Sequence, residues 1–260
     1  MNVHQLVSEA LDLVFPPKCQ VCGQFSRELF CDTCRASVAP IRPPLCRRCG
    51  RAFDPKGLAV RTGTVLPLCG ECRLGTFRFD VARATATHTG ALRKAIIALK
   101  FYGRKRLAQP LGDMLTEFVR RPRPSAAGIA PDAVDIVVPV PLHQRRERWR
   151  GYNQALLLAQ RLAAGIARPL RPDVLVRSRE TKPQIDLAPR QRRTNVRGAF
   201  EVALPEAIAG RAVLLIDDVF TTGNTLSECA RVLKRAGATH VACLTLSRSS
   251  PDWDKDRDLF

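Results

Sequence analysis

Two adjacent aspartates in the stretch VLLIDDVFTTGNT, residues 213–225, are the groups with the clearest chemical potential in this chain. They follow a run of aliphatic residues and precede a turn rich in threonine and glycine. Backbone amides at the start of a helix bind phosphate well, and the helix dipole adds to the attraction. Asp217 and Asp218 would accept hydrogen bonds from sugar hydroxyls beside that phosphate. The pattern therefore predicts a sugar-phosphate site, whose phosphate cradle would consist of Thr221, Thr222, Gly223, Asn224 and Thr225.

Eight of the ten cysteines form four C-x-x-C pairs, all within residues 19–72. Two such pairs offer four thiolates in the tetrahedral arrangement that zinc takes in closed structural sites. Disulfides are the less favoured alternative, because the first residues lack the basic leader of a secretion signal. Taken in sequence order, the pairs predict two structural zinc ions, although an interleaved pairing is also compatible with the spacing. The ligands would be Cys19, Cys22, Cys31 and Cys34 for one ion and Cys46, Cys49, Cys69 and Cys72 for the other.

The formal net charge of +18 indicates an anionic partner. The excess is concentrated in residues 139–200, which hold 14 basic and four acidic residues. No uncharged apolar run reaches the length of about 18 residues that a membrane-spanning helix needs. Together with the missing leader, this predicts a cytoplasmic protein. Residues 3–14 have apolar residues at helical spacing, which predicts a short amphipathic helix.

Alternating elements must position the aspartates. Apolar spacing predicts helices over residues 90–101, 107–119, 152–166 and 225–238 and strands over residues 134–141, 173–178, 212–218 and 240–248. This order favours an α/β fold, a parallel sheet with helices on both faces, preceded by a small cysteine-rich double zinc ribbon. We place the domain boundary at residue 80, with the N-terminal helix and ribbon in residues 1–80 and the α/β domain in residues 81–260.

Ligands of parallel sheets bind at the carboxyl ends of the strands. Three segments are therefore expected to converge there. They are the aspartate pair with its turn, the loop PVPLHQRRERWRGYNQ at residues 139–154, and the arginine-rich residues 177–200.

Residues 213–225 resemble the phosphoribosyl pyrophosphate motif of type I phosphoribosyltransferases: four apolar residues, two acids, two apolar residues and Thr-Thr-Gly-x-Thr. Phe220 is bulkier than the aliphatic residue usual at its place. With the double zinc ribbon, LKFYGR at residues 99–104, RGYNQ at residues 150–154 and TKPQIDLAPRQRRTNVRGAF at residues 181–200, the chain resembles the ComF family over nearly its full length. That family is associated with DNA uptake in competence.

The resemblance implies a type I phosphoribosyltransferase fold, a phosphoribosyl pyrophosphate site and a role alongside imported single-stranded DNA and the proteins of DNA uptake or recombination. Asp217 and Asp218 would be the catalytic pair that holds the ribose hydroxyls, and the Thr221 to Thr225 turn would hold the 5′-phosphate. Residues 179–197 would form a mobile loop that closes over the substrate. The remaining substrate contacts would come from a short pyrophosphate loop, Val140, Pro141, Leu142 and His143, and from Lys100 and Arg104.

Two functions are compatible with these residues. In the first, Mg²⁺ and arginines stabilise a departing pyrophosphate while the chain transfers a phosphoribosyl group to an acceptor that the sequence does not identify. In the second, the chain handles single-stranded DNA without catalysis and uses the same pocket for regulation. Trp149 and Tyr152 lie among arginines and would stack on bases. The alternative for Trp149 is a place in the core.

Overall fold

The computed structural model describes residues 16–53, 68–121, 129–180 and 196–249 of the 260-residue chain. The expected helix over residues 3–14 lies outside the described residues, as do residues 181–195 of the arginine-rich stretch. Within the described ranges, no helix combines the length and the apolar character needed to cross a bilayer.

A four-stranded parallel sheet forms the centre of the molecule, with the strand order β1-β6-β5-β2. These strands are β1 (Val81–Thr87), β2 (Ile136–Pro139), β5 (Ala212–Phe220) and β6 (His240–Arg248). The predicted parallel sheet is confirmed. Strand β1 was not predicted, because its inward positions are small alanines that give a weak hydrophobic signal. The strand expected over residues 173–178 is shorter than predicted and lies outside this sheet. As β3 (Leu175–Val176) it pairs antiparallel with β4 (Glu201–Val202).

Seven α-helices lie in the described part of the chain. They are α1 (Asp32–Ala36), α2 (Gly70–Arg73), α3 (Gly90–Phe101), α4 (Ala108–Arg120), α5 (Gln144–Arg150), α6 (Gln154–Gly165) and α7 (Asn224–Arg235). The four predicted helices are confirmed as α3, α4, α6 and α7. Short 3₁₀ turns occur at Lys105–Leu107, Pro131–Ala133 and Pro205–Ala207.

Helix α5 occupies a segment that the sequence analysis interpreted as a loop. The His143 side chain accepts a hydrogen bond from the Arg145 amide and caps the first turn of this helix. The helix ends at Gly151, which has a φ of 79°. Only glycine adopts this left-handed conformation without strain, so the helix stops after seven residues.

The two faces of the sheet are covered differently. Helices α3, α4 and α6 cover one face, where Leu214 and Ile216 of β5 point. Helix α7 covers the other face together with the second group of cysteines, and Val213 and Leu215 point there. Because side chains alternate along a strand, the next two residues of β5, Asp217 and Asp218, lie on opposite faces of the sheet at its carboxyl edge.

Candidate functional site

The cysteines of the four C-x-x-C pairs gather into two clusters. Within each cluster the Sγ atoms lie within 4.8 Å of one another. We call Cys19, Cys22, Cys31 and Cys34 the first cluster and Cys46, Cys49, Cys69 and Cys72 the second cluster. The clusters follow sequence order, as in the first of the two pairings that the spacing allowed. All ten cysteines are free thiols, so the disulfide alternative is wrong.

The first cluster lies near the surface, and Cys22 is exposed. The Cys19 Sγ atom accepts hydrogen bonds from the amides of Val21 and Cys31, both at 3.5 Å. Burial alone would raise the pKa of Cys19, but these amide donors lower it to about 6. A cysteine that ionises this readily is a suitable metal ligand, because zinc binds the thiolate.

The second cluster is buried at all four cysteines. Hydrogen bonding from the Cys49 thiol, and then from backbone amides, lowers the pKa of Cys46 to about 3 although burial opposes this shift. The Cys69 amide donates to the Cys46 Sγ atom at 3.4 Å. Both clusters therefore have the donor set and the prepared thiolate of a structural zinc site.

Two buried arginines adjoin the second cluster, and neither was predicted to be a functional residue. Arg83 in β1 donates to the carbonyl oxygens of Arg47 at 3.0 Å and Arg48 at 3.4 Å. Arg248 at the end of β6 donates to the Cys49 carbonyl oxygen at 2.6 Å, and its Nη2 atom lies 3.8 Å from the Cys49 Sγ atom. Four thiolates around Zn²⁺ carry a net charge of −2, which two guanidinium groups would balance.

Asp218 is almost completely buried, with 3% of its surface exposed. Its Oδ1 atom lies 2.7 Å from the Lys100 Nζ atom in α3. Its Oδ2 atom is buried and has no hydrogen-bond partner in the described structure. One oxygen of this carboxylate is thus neutralised, and the other is left for a ligand that donates a hydrogen bond.

Asp217 is half-buried on the opposite face of the sheet, and its Oδ1 atom accepts from the Asp218 amide at 2.8 Å. Burial raises the pKa of Asp217 to about 7, and the negative charge of Asp218 adds to this effect. Lys100 and Arg177 act in the opposite direction. Asp217 therefore readily holds a proton near neutral pH, whereas the neighbouring carboxyl group of Asp218 is paired with a lysine.

The turn between β5 and α7 is held in place by close packing. Gly223 has a φ of 77° and precedes the first residue of α7. A Cβ atom at Gly223 would lie 2.5 Å from the Phe220 Cζ atom and 2.8 Å from the Phe77 Cε1 atom. The Thr222 Oγ1 atom is buried and lacks a hydrogen-bond partner in the described structure. The same edge of the sheet thus presents an unpaired hydroxyl and an unpaired carboxylate oxygen.

The loop expected to hold pyrophosphate follows β2 beside this turn. The Val140 amide donates to the Ile216 carbonyl oxygen at 2.9 Å, and the Asn153 side chain donates to the Val140 carbonyl oxygen at 3.0 Å. The next three residues, Pro141, Leu142 and His143, are half-buried. Of the two expected basic contacts, the structure brings Lys100 to the aspartates. Arg104 is exposed after the end of α3.

The arginine-rich segment also reaches this edge. Arg145 of α5 lies 3.4 Å from Glu180, measured from its Nη1 atom to the Oε2 atom. Arg179 donates to the Arg197 carbonyl oxygen at 2.7 Å. Arg177 is close enough for its charge to affect the pKa of Asp217. The described parts of the three segments therefore converge as the sequence predicts.

The two aromatic residues expected to stack on bases have different surroundings. Trp149 is 72% exposed, so the alternative that placed it in the core is wrong. Tyr152 is buried, and its hydroxyl donates to the Leu99 carbonyl oxygen. A buried ring does not stack on a base, so the expectation for Tyr152 is wrong. Phe101 and Tyr102, which the sequence analysis overlooked, are exposed.

Comparison with protein families identifies two parts of the chain. Residues 10–73 match the double zinc ribbon domain, and residues 153–260 match the phosphoribosyl transferase domain. Together with the parallel sheet and the two cysteine clusters, these matches define a protein that joins a double zinc ribbon to a domain of the phosphoribosyltransferase type.

Full-length relatives specify the family. The DNA utilization protein YhgH of Escherichia coli O157:H7 is 33% identical over 225 residues, which cover 84% of this chain and 96% of that protein. Competence protein F of Haemophilus influenzae is 29% identical over 84% of this chain and 96% of its own length. Competence protein ComFC of Bacillus subtilis is 28% identical over 85% of each chain. The chain belongs to the ComF family.

Solved structures give only weak matches. The glutamine phosphoribosylpyrophosphate amidotransferase from B. subtilis, complexed with ADP and GMP, aligns with 57% of this chain and 30% of its own. The identity is 17% and the TM-score is 0.38, a similarity too low to support any inference about this chain.

Proposed function

We propose that the carboxyl edge of β5 and β2 binds phosphoribosyl pyrophosphate with Mg²⁺. One observation carries the proposal: the unpaired Asp218 Oδ2 atom and the unpaired Thr222 hydroxyl lie at the same edge. Buried polar atoms rarely remain unpaired in folded proteins, because each costs about 1–3 kcal/mol. A ribose hydroxyl would donate to Asp218, and a phosphate oxygen would accept from Thr222.

The surrounding groups suit the rest of such a ligand. The turn Thr221 to Thr225 would surround the 5′-phosphate, and Val140 to His143 would lie beside the pyrophosphate. The Lys100 ammonium group pairs with Asp218 and is near enough to share its charge with a ligand anion. Mg²⁺ would be held by the phosphate oxygens of the ligand, as is usual for this ion. Transfer of the phosphoribosyl group would be favoured by carboxylate charge near the developing positive charge on the sugar.

The names of the relatives support a role in the use of DNA. Those relatives are a DNA utilization protein and two competence proteins. We therefore propose that this chain acts in the cytoplasm alongside imported single-stranded DNA and the proteins of DNA uptake or recombination. The phosphoribosyl site would act there either as an enzyme of undefined acceptor or as a regulatory site.

Calorimetry with phosphoribosyl pyrophosphate and Mg²⁺ tests the binding site. Asp218→Asn should weaken binding by about 1–3 kcal/mol, the cost of losing a hydrogen bond to a charged group. Asp113→Asn is the matched control, because Asp113 pairs with Arg161 on the outer surface of α4 and α6. Unchanged affinity in an Asp217→Asn, Asp218→Asn double variant would contradict the proposal. Release of pyrophosphate across candidate acceptors then separates an enzyme from a regulatory site.

Single-stranded DNA binding is the second candidate function, and the exposed Trp149 favours it. This ring lies on α5 among Arg145, Arg146, Arg148 and Arg150. A single strand would be held by phosphate contacts to the arginines and by stacking on the ring, a contact worth about 1–3 kcal/mol per base.

Binding of an unstructured oligonucleotide at several salt concentrations tests this second function. Trp149→Ala should weaken binding at every salt concentration. Replacing Arg145, Arg146 and Arg148 with Gln should lower the salt dependence, by about 0.7 in slope for each lost phosphate contact. Phosphoribosyl pyrophosphate should displace the strand if both ligands use arginines near Asp217. An affinity for the oligonucleotide that does not change with salt concentration would contradict this second function.

A further inference from the structure

Arg248 lies between the second cluster and the Thr221 to Thr225 turn. It is 8% exposed, although it carries a charge. We propose that Arg248 is a positioning residue, which couples the metal occupancy of the second cluster to the shape of the Thr221 to Thr225 turn. The inference rests on the proposed function in one respect, since it takes this turn to be the phosphate site.

The first contact in the connection joins Arg248 to the second cluster. Its Nη1 atom donates to the Cys49 carbonyl oxygen at 2.6 Å, and its Nη2 atom lies 3.8 Å from the Cys49 Sγ atom. The planar guanidinium group thus contacts the backbone and the sulfur of one metal ligand at once. When zinc holds Cys49 in place, these two contacts determine the orientation of the guanidinium plane.

The second contact joins Arg248 to Phe220. The guanidinium carbon lies 4.0 Å from the centroid of the Phe220 ring. This is a close cation–π contact between two buried side chains, and such contacts are strongest away from solvent. Phe220 is the last residue of β5, and its ring also makes edge contacts with Phe77 and Phe79. Arg248 therefore fixes the position of this ring together with Phe77 and Phe79.

The third contact joins Phe220 to the turn. The space that a Cβ atom would need at Gly223 is taken by the Phe220 ring, which would lie 2.5 Å from that atom. Gly223 immediately precedes α7 and is flanked by Thr222, whose hydroxyl is unpaired. A shift of the ring therefore moves the backbone on which the phosphate would lie. The path from Cys49 to Gly223 consists of direct contacts at every step.

Arg83 provides a contrast within the same cluster. It is as deeply buried as Arg248, and its hydrogen bonds to the cluster go to the carbonyl oxygens of Arg47 and Arg48. It lies opposite Leu244 in the sheet, whereas Phe220 lies opposite Arg248. Both arginines would neutralise the charge of a filled cluster, but Arg248 also contacts the ring beneath the turn.

Coupling of this kind is reciprocal. If zinc in the second cluster favours the turn conformation that binds phosphate, ligand at the turn must favour zinc in the second cluster by the same factor. Typical coupling factors are about 5–150. Zinc in the first cluster should be insensitive to the ligand, because none of the contacts that lead from Cys49 through Arg248 and Phe220 to Gly223 involves that cluster.

The rate of zinc release to a zinc-selective chromogenic chelator, in excess Mg²⁺, reports this coupling in the full-length protein, because a ligand that tightens zinc binding without changing the association rate slows release by the same factor. Cys22→Ser assigns the two phases of release, since it removes a ligand of the first cluster. Addition of phosphoribosyl pyrophosphate should slow the second-cluster phase at least about fivefold in the parent and leave the other phase unchanged. Arg248→Met should abolish this slowing and weaken ligand binding by a similar factor. Arg83→Met should speed zinc release without changing ligand affinity.

Phe220→Leu guards against a simple loss of folding in the Arg248 variant. It keeps an apolar side chain, lies away from every cysteine ligand in sequence, and should still speed release from the second cluster. Ligand binding to Arg248→Met equal to that of the parent would overturn the coupling. If the parent protein does not bind phosphoribosyl pyrophosphate, the proposed function is wrong. The rate of zinc release from Phe220→Leu then tests the coupling by itself. Unchanged release would overturn it, and faster release from the second cluster would support it.

Discussion

The two cysteine clusters have the same ligands and similar spacing, but they differ in their surroundings. The first cluster includes the exposed Cys22 and packs with the core that contains α3, α4 and α6. The second cluster is wholly buried and packs with the core that contains α7. A filled cluster at the surface is stabilised by water, whereas a buried one needs charged protein groups, and Arg83 and Arg248 provide them. A repeated motif thus serves two structural roles.

Removal of one ligand from each cluster should give the largest difference. Cys46→Ser and Cys22→Ser should each lose one of two zinc ions. Only Cys46→Ser removes negative charge from beside the buried Arg83 and Arg248, and breaking a buried ion pair costs about 3–5 kcal/mol. Elemental analysis with urea unfolding checks both effects. Equal destabilisation by the two substitutions would mean that the clusters are equivalent.

The glycines that follow a C-x-x-C pair in each cluster offer a finer comparison. Gly23 and Gly50 have φ values of 75° and 68°, so an alanine at either position costs about 1–2 kcal/mol in backbone strain. An added Cβ atom meets nothing within 4 Å at Gly23 but lies 2.8 Å from the Ala82 carbonyl oxygen at Gly50. Gly50→Ala should therefore lose about 1–3 kcal/mol more than Gly23→Ala in denaturant unfolding. Similar losses of stability in the two variants would show that the turn at Gly50 can move away from β1.

The smallest expected effect concerns the ionisation of Asp217, which lies at the carboxyl edge on the second-cluster side of the sheet. The folded protein holds a proton on Asp217 up to about pH 7, whereas the unfolded chain releases it near pH 4. Stability is therefore lost as the pH rises from about 4 to about 7. Asp217→Asn cannot ionise and should raise the melting temperature at pH 8 by about 2–4 °C, with a smaller gain at pH 5. This corresponds to about 1 kcal/mol, because solvent screens the charge of a half-buried carboxylate and reduces the full effect of the pKa shift.

Asp32→Asn is the matched control for this pH experiment, because it removes an exposed carboxylate from α1 beside the first cluster. The gain in melting temperature at pH 8 should occur in Asp217→Asn and not in Asp32→Asn. A gain of the same size at pH 5 and pH 8 would show that the loss of stability does not come from ionisation of this carboxyl group.

Strong local patterns made much of this molecule predictable. The nine-residue strand β6 occurs at the predicted residues, and α3 begins and ends as expected, because both have a regular apolar period. The C-x-x-C spacing identified all eight cluster cysteines, because it is also a pattern within short segments of the chain. Strand β1 was missed since its alternating buried residues are alanines. The domain boundary at residue 80 stays a prediction.

Interactions between distant residues were not predictable in this way. The resemblance placed Lys100 near the ligand anion, but only the fold showed it paired with Asp218. Tyr152 lies in a basic, polar sequence, and its burial depends on the Leu99 carbonyl oxygen 53 residues away. Sequence periodicity reports on neighbours along the chain, so contacts of this kind leave no trace in it.

The sequence by itself determined four of the helices, three strands of the sheet and the eight cluster cysteines, because hydrophobic period and cysteine spacing are properties of short segments. Only the tertiary structure decided which of the two motifs became wholly buried. That choice depends on Arg248 meeting Cys49 across 199 residues of chain, in a place where a charge is stable only beside its partner.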